Sequence, residues 1–313
     1  LRGSRKKTID METKQYNIPK MLSDRAICFF FLFPTLVLLL FLIGYPFVML
    51  IYNSFFRYSV LRPAVPAEFI GFDNYLFFLT DEYTWQRFIF TGKFVILAVS
   101  IQFFLGITIS YLLQTKFKGR DVVFTMILMP MMLCPIIVGL FWKYLFNFEW
   151  GLVNYLLSIV GASGIDWLGD PTYSLWATII ADTWMWTPFT ILLATAAFSG
   201  IPKSMYEAAD VDGASASFKF FNITLPLSAP VLVIALLLRL IDSFKQFDLF
   251  YALTGGGPGD ATQTVSFLLY KTAFQYFYTG EASALGMIIL IIIIGLSSIF
   301  IRYLTNLSQK QQA

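Results

Sequence analysis

Long apolar stretches, each of a length that crosses a membrane, constrain this chain more than any other feature. A bilayer core of about 30 Å takes roughly 20 apolar residues in a helix. Six segments of the 313-residue sequence meet that requirement, at about 27–52, 93–114, 122–146, 175–198, 225–247 and 282–304. Hydrophobic residues make up 58% and charged residues 13%. Soluble domains carry about 25% charge, so this chain has too little to cover a water-facing surface. The alternating ten-residue strands of an outer-membrane barrel are not seen. The expected fold is therefore an all-α membrane protein of six transmembrane helices. Its domains are an N-terminal segment at 1–26, a membrane-spanning body at 27–305 and a tail at 306–313. Pro130 and Pro135 should kink the third span, because proline removes a helix hydrogen bond and clashes with the preceding turn.

The placement of Lys and Arg sets the orientation. The N-terminal segment holds Arg2, Arg5, Lys6, Lys7, Lys14, Lys20 and Arg25, and the loop between spans two and three holds Lys116, Lys118 and Arg120. The 147–174 loop holds Glu149, Asp166 and Asp170 but no Lys or Arg. Both termini should face the cytoplasm. The first apolar run is too long for a cleaved signal peptide and lacks a small-residue cleavage site.

Absences narrow the chemistry. The chain contains no His, which removes the commonest general base and metal ligand. Cys28 and Cys134 lie inside apolar runs, read as buried small hydrophobes, and cannot build a zinc site alone. No phosphate-cradling GxxxxGK[ST] loop is present. The expectation is a non-catalytic chain with no cofactor or metal of its own and no nucleic-acid partner. Any ATP would be hydrolysed by another subunit.

The loop after span four reads GIPKSMYEAADVDGASASFKFFNITLPLSAP. Pro202 stops the preceding segment, and Ser204 with Glu207 forms an S-x-x-E capping box. Met205 to Asp212 can then make about two helical turns, roughly 12 Å long. Gly213 suits a left-handed stop, and Pro226 suits the opening of span five. So short a helix is not stable alone, so its own body or a partner's groove must hold it.

The pattern Glu207-Ala208-Ala209, then Gly213, Ile223, Leu225 and Pro226, resembles the EAA loop of bacterial binding-protein-dependent ABC importer permeases. The phrases Trp186-Thr187-Pro188-Phe189 and Leu253-Thr254-Gly255-Gly256-Gly257-Pro258 are similar to those of the carbohydrate branch, the maltose and glycerol-phosphate type. The resemblance spans about residues 27–305. It implies a type I permease fold in the bacterial cytoplasmic membrane. It also implies a coupling helix carried by Glu207, Ala208, Ala209, Asp212 and Gly213, which docks on an ATPase. The implied partners are a second permease subunit (expected to be a related but different chain), two ATPase subunits that hold ATP and Mg, and a solute-binding protein on the outer face. The cargo would be a carbohydrate.

Polar residues inside spans are expensive and mark candidate pathway positions. Span four holds Asp182, Trp184 and Trp186; span five holds Arg239, Asp242, Lys245 and Gln246. Helical spacing puts Arg239, Asp242 and Gln246 on one face. A polar face beside aromatic rings suits a sugar. The plainer reading of Arg239 and Asp242 is an ion pair that only orients the bundle. The rival function is an ion-coupled secondary transporter that uses Asp182 or Asp242.

Overall fold

The computed structural model describes residues 24–61, 65–115 and 117–312. Several basic residues used for orientation, from Arg2 to Lys20 and at Lys116, lie outside this description. So do the side chains of Arg25, Cys28 and the tail beyond Thr305. The chain divides into two units, Leu1–Met49 and Leu50–Ala313.

In the first unit, α1 (Asp24–Leu39) passes through a π-turn at Leu40–Gly44 into α2 (Tyr45–Ser54), whose residues from Leu50 on belong to the second unit. Phe30, Phe31, Leu40 and Phe41 are exposed, as suits a helix whose solvent is lipid.

After the end of α2, the second unit continues with a two-residue antiparallel pair, β1 (Phe56–Arg57) on β2 (Glu68–Phe69), followed by α3 (Asp73–Thr80). The long helix α4 (Glu82–Leu112) comes next. It opens at Glu82 rather than near residue 93, because the Asp81 carboxylate accepts from the Thr84 backbone N–H at 2.8 Å and caps the helix ahead of the apolar run. α5 (Arg120–Leu128) and α6 (Pro135–Leu145) flank a 3₁₀ turn at Met129–Met132. The pair is bent by 98°, where Pro130 and Pro135 forbid a continuous helix. Cys134 is a free thiol at this bend and is exposed, so its reading as buried is corrected: the break turns it out of the packing.

α7 (Leu152–Ile159) is a short helix fixed by the buried Asn154. The Asn154 amide donates to the carbonyls of Phe148 and Ile165, and its Oδ1 accepts from Ile165 N–H and from Trp167 Nε1. α8 (Pro171–Ser199) starts with Pro171 at its first position and Asp170 capping Thr172 N–H at 2.8 Å. After it come α9 (Lys203–Val211), α10 (Ala216–Lys219), a π-turn at Phe220–Thr224 and α11 (Leu225–Phe244). Span five is thus helical from Ala216, well before Pro226. Ser215 caps it by accepting from Phe218 N–H, and the π-turn accommodates the proline inside the run.

The chain closes with α12 (Asp248–Leu253), α13 (Val265–Tyr270), a π-turn at Lys271–Gln275 and α14 (Thr279–Gln312). The glycine-rich loop between α12 and α13 is tied back to α4. Thr91 Oγ1 accepts from Val265 N–H at 2.9 Å, and Arg87 donates to the Asp260 carbonyl at 2.9 Å.

Among the described residues, four helices are long and apolar enough to cross a membrane: Phe29–Ser54, Glu82–Leu112, Ala216–Phe244 and Thr279–Thr305. Two bent pairs, α5 with α6 and α8 with α9, bring the number to six if each is one span. The main core joins Phe94, Ala98 and Val99 of α4 to Phe250, Phe267 and Leu285. A second cluster packs Val138 and Phe146 on Ala177, Ala181 and Met185 of α8.

Lipid tails are as apolar as leucine, so close approach and polar contacts must join the helices. The α4–α8 seam shows both at four-residue spacing, which keeps residues on one helix face. Gln102 Nε2 donates to Asp182 Oδ2 at 2.7 Å, and Ser110 Oγ meets Thr195 Oγ1 at 2.9 Å. Between them, a Cβ on Gly106 would stand 2.6 Å from the Thr190 side chain, so only glycine lets the backbones come this close.

Candidate functional site

Three helices bring their polar residues to one point. Among the described residues Arg239 of α11 is the largest fully buried side chain, and Gln102 and Asp182 are fully buried beside it. Arg239 uses all three nitrogens. Nε donates to Gln102 Oε1 at 3.0 Å, Nη2 to Asp182 Oδ2 at 3.0 Å and Nη1 to Asp242 Oδ2 at 2.9 Å. Its guanidinium carbon also lies 4.8 Å from the centre of the Trp186 ring. A buried guanidinium is tolerable only when paired and hydrogen-bonded in this way.

The expected Arg239–Asp242 pair therefore exists as one arm of a larger cluster. Asp182 comes from the neighbouring helix, and Gln102, which the sequence reading passed over, bridges the two charges. The amide inside the apolar run KFVILAVSIQFFLG was the available signal. Asp242 is the outlying member, its side chain 46% exposed.

Beside the cluster lies a cleft of about 340 Å³, lined by Trp186, Phe189, Leu238, Arg239, Ile241, Asp242 and Lys245. Its volume falls within the range of small-molecule pockets. Trp186 stands one turn beyond Asp182 and reaches this cleft. Trp184, two positions earlier than Trp186, points about 200° away around the helix. It packs on Phe141 and Trp142 of α6 instead, at ring separations of 6.1 and 6.0 Å. Gln246 is also separated from Asp242. α11 ends at Phe244, Lys245 caps it, and Gln246 lies past the end, buried, with its carbonyl accepting from Thr264 Oγ1 at 3.2 Å. The shared helical face expected for Asp242 and Gln246 is corrected accordingly.

The second candidate region is α9, bent 71° from α8. The capping-box expectation is not met. The N-cap is Pro202 with no side-chain bond, and the helix opens at Lys203 ahead of Ser204, since a proline at this point already presets the backbone angle. The stop is as expected. Gly213 has φ +71°, its N–H bonds Asp210 O at 3.1 Å, and Ala214 N–H bonds Ala209 O at 2.9 Å. These two bonds define a Schellman motif. The helix is held to its own body by the buried Ala209, a Tyr206–Thr224 hydroxyl contact at 2.9 Å and the Lys219–Asp210 ion pair. Glu207, Ala208 and Asp212 remain exposed. Ala208, Ala209 and Asp212 line a hollow of about 540 Å³ with Met205, Ala214, Ser215, Phe218 and Ile223. Among the described residues no group of three or more metal-ligating side chains occurs.

Comparison with known proteins places this architecture. Residues 102–311 match the family model described as binding-protein-dependent transport system inner membrane component. The trehalose/maltose transport system permease protein MalF of Thermococcus litoralis is 37% identical over 86% of this chain and 90% of its own. The sulfoquinovosyl glycerol transport system permease protein SmoG of Agrobacterium fabrum is 34% identical over 90% and 91%. Among solved structures, a chain of a bacterial alginate ABC transporter, in complex with an alginate pentasaccharide-bound periplasmic protein, superposes with a TM-score of 0.76. That chain is 21% identical, with 88% of this chain and 92% of that one covered.

Proposed function

Because the chain belongs to the family of binding-protein-dependent transport system inner membrane components, we propose that it is one permease subunit of an ATP-driven carbohydrate importer. It works in the bacterial cytoplasmic membrane, pairs with a second and related permease chain, and receives a sugar from a solute-binding protein outside. Of the two ATPase subunits, which hold ATP and Mg, one docks on α9 of this chain. The observation that carries this reading is the Gly213-terminated helix, whose exposed Glu207, Ala208 and Asp212 stand beside a hollow its own body leaves open. A helix of this length keeps its shape only while held, so a partner seated in the hollow can move it as a lever.

The pathway residues of this reading are Trp186, Arg239, Asp242 and Lys245 at the cleft. Trp184, Asp182 and Gln246 support it from behind, through packing and hydrogen bonds. Sugar rings stack their CH faces on aromatic side chains and bond hydroxyls to carboxylates, and the cleft offers both. The permease names of the sugar-transporting relatives support a carbohydrate cargo. The ion-coupled alternative has little to stand on: Asp182 and Asp242 are both engaged by Arg239.

The test is reconstitution in liposomes with the ATPase pair, the permease partner and the binding protein. ATP-dependent uptake of a sugar, abolished when the ATPase pair is omitted, is the expected result. Uptake that follows an ion gradient without ATP would overturn the proposal.

A further inference from the structure

We propose that the cleft between α8 and α11 is a charge filter that admits neutral solutes and turns anions away, with Asp242 as its specificity-determining residue. This rests on the permease reading above and adds to it the electrical character of the cargo.

The argument starts with the cations. Arg239 would be the natural partner of a phosphate, sulfonate or uronate, since a guanidinium binds such groups through two parallel N–H bonds. Here each nitrogen of Arg239 already donates once, to Gln102, Asp182 and Asp242, which leaves two of its five N–H groups. Two of those acceptors are fully buried, so an anionic ligand could displace only the Asp242 arm. Displacement would then leave the Asp242 carboxylate facing the incoming anion across the same small cleft.

Lys245 is the other cation on the lining. On the lining these two cations face Asp242 alone, and the cleft reaches zero net charge only through Asp182, buried behind it and paired with Arg239. What the cleft does offer suits an uncharged polyol. Asp242, with 46% of its side chain exposed, can accept hydroxyl protons. The Trp186 ring supplies a stacking face, and its Nε1–H is buried with no hydrogen-bond partner among the described residues. Selectivity of this kind comes from a built-in repulsive group as much as from attraction.

The experiment uses the assembled importer in nanodiscs. Cys28 and Cys134 are replaced by Ser, and a single thiol is introduced at the cleft lining by Ile241→Cys. Two methanethiosulfonate reagents are the probes, one with a neutral hydroxyethyl group and one with an anionic sulfonatoethyl group. Rates are measured with and without ATP and normalised to a free thiol. The expected result is labelling at least about tenfold faster by the neutral reagent, with Asp242→Asn reducing that preference to within about twofold. Equal rates in the parent protein, or a preference unchanged by Asp242→Asn, would overturn the filter while leaving ATP-driven uptake intact. If neither reagent reaches the introduced thiol in any nucleotide state, the cleft is not on the pathway and the filter falls with it. Absence of ATP-dependent uptake by the unmodified importer would instead refute the permease reading.

Discussion

Replacing Gly106 by Ala tests how the two central helices are joined. An added Cβ would lie 2.6 Å from both Cβ and Cγ2 of Thr190 and 3.4 Å from the Ile191 nitrogen. Carbon atoms rest about 3.5–4.0 Å apart, so α4 and α8 must part by about 1 Å at this level. The polar contacts one turn to either side have little slack. Gln102–Asp182 at 2.7 Å and Ser110–Thr195 at 2.9 Å would both open beyond hydrogen-bond range. Overpacking costs about 1–3 kcal/mol, and interhelical hydrogen bonds in membranes average about 0.6 kcal/mol each. The expected loss is therefore about 2–4 kcal/mol. A thermal shift assay on the detergent-purified importer should show a fall of several degrees in apparent Tm. Gly106→Ala combined with Thr190→Gly, which removes both clashing atoms, should recover most of that loss in a double-mutant cycle. If Gly106→Ala is as stable as the parent, or if Thr190→Gly does not rescue it, the close-approach argument is wrong.

Three further outcomes follow from the same geometry. Arg239→Met leaves Asp182 buried without its charge partner and should cost about 3–5 kcal/mol; Arg239→Met with Asp182→Leu should restore most of it, and a double variant less stable than the single one would contradict the pairing. Gly213→Val forces a β-branched residue to the left-handed angle now at φ +71°, so ATPase turnover should persist while uptake falls; normal uptake by this variant would remove Gly213 from the coupling role. Asn154→Leu removes four hydrogen bonds that fix the α7 loop, so limited proteolysis of intact membranes should cut within 147–170 faster than in the parent; an unchanged cleavage rate would show that the loop is held by other contacts.

The apolar stretches were legible because the bilayer demands length and hydropathy directly. Their starts were harder to read. The first turns of α4 and α10 are set by Asp81 and Ser215 caps, which hydropathy does not weigh. Gly213 was readable, since a left-handed stop is a one-residue requirement, but the Ser204–Glu207 box lost to the neighbouring Pro202. The Arg239–Asp242 pair was visible as a local helical spacing. Its union with Asp182 and Gln102 was not, because those residues are distant in sequence and only the packing of α4, α8 and α11 joins them. Trp184 and Trp186 differ by position around the helix, which spacing alone assigns to opposite faces; their shared aromatic type made them look like one feature.

The central claim is that this chain is one of two membrane subunits of an ATP-driven machine, gripped through α9. Its most direct test is to isolate the chain from its native membrane in mild detergent and to measure the mass and ATPase activity of what accompanies it. The account predicts a complex containing two ATPase copies and one further permease chain, hydrolysing ATP and dissociating when the α9 surface is altered at Glu207 and Ala208. A chain recovered alone, or only with copies of itself and without ATPase activity, would contradict it.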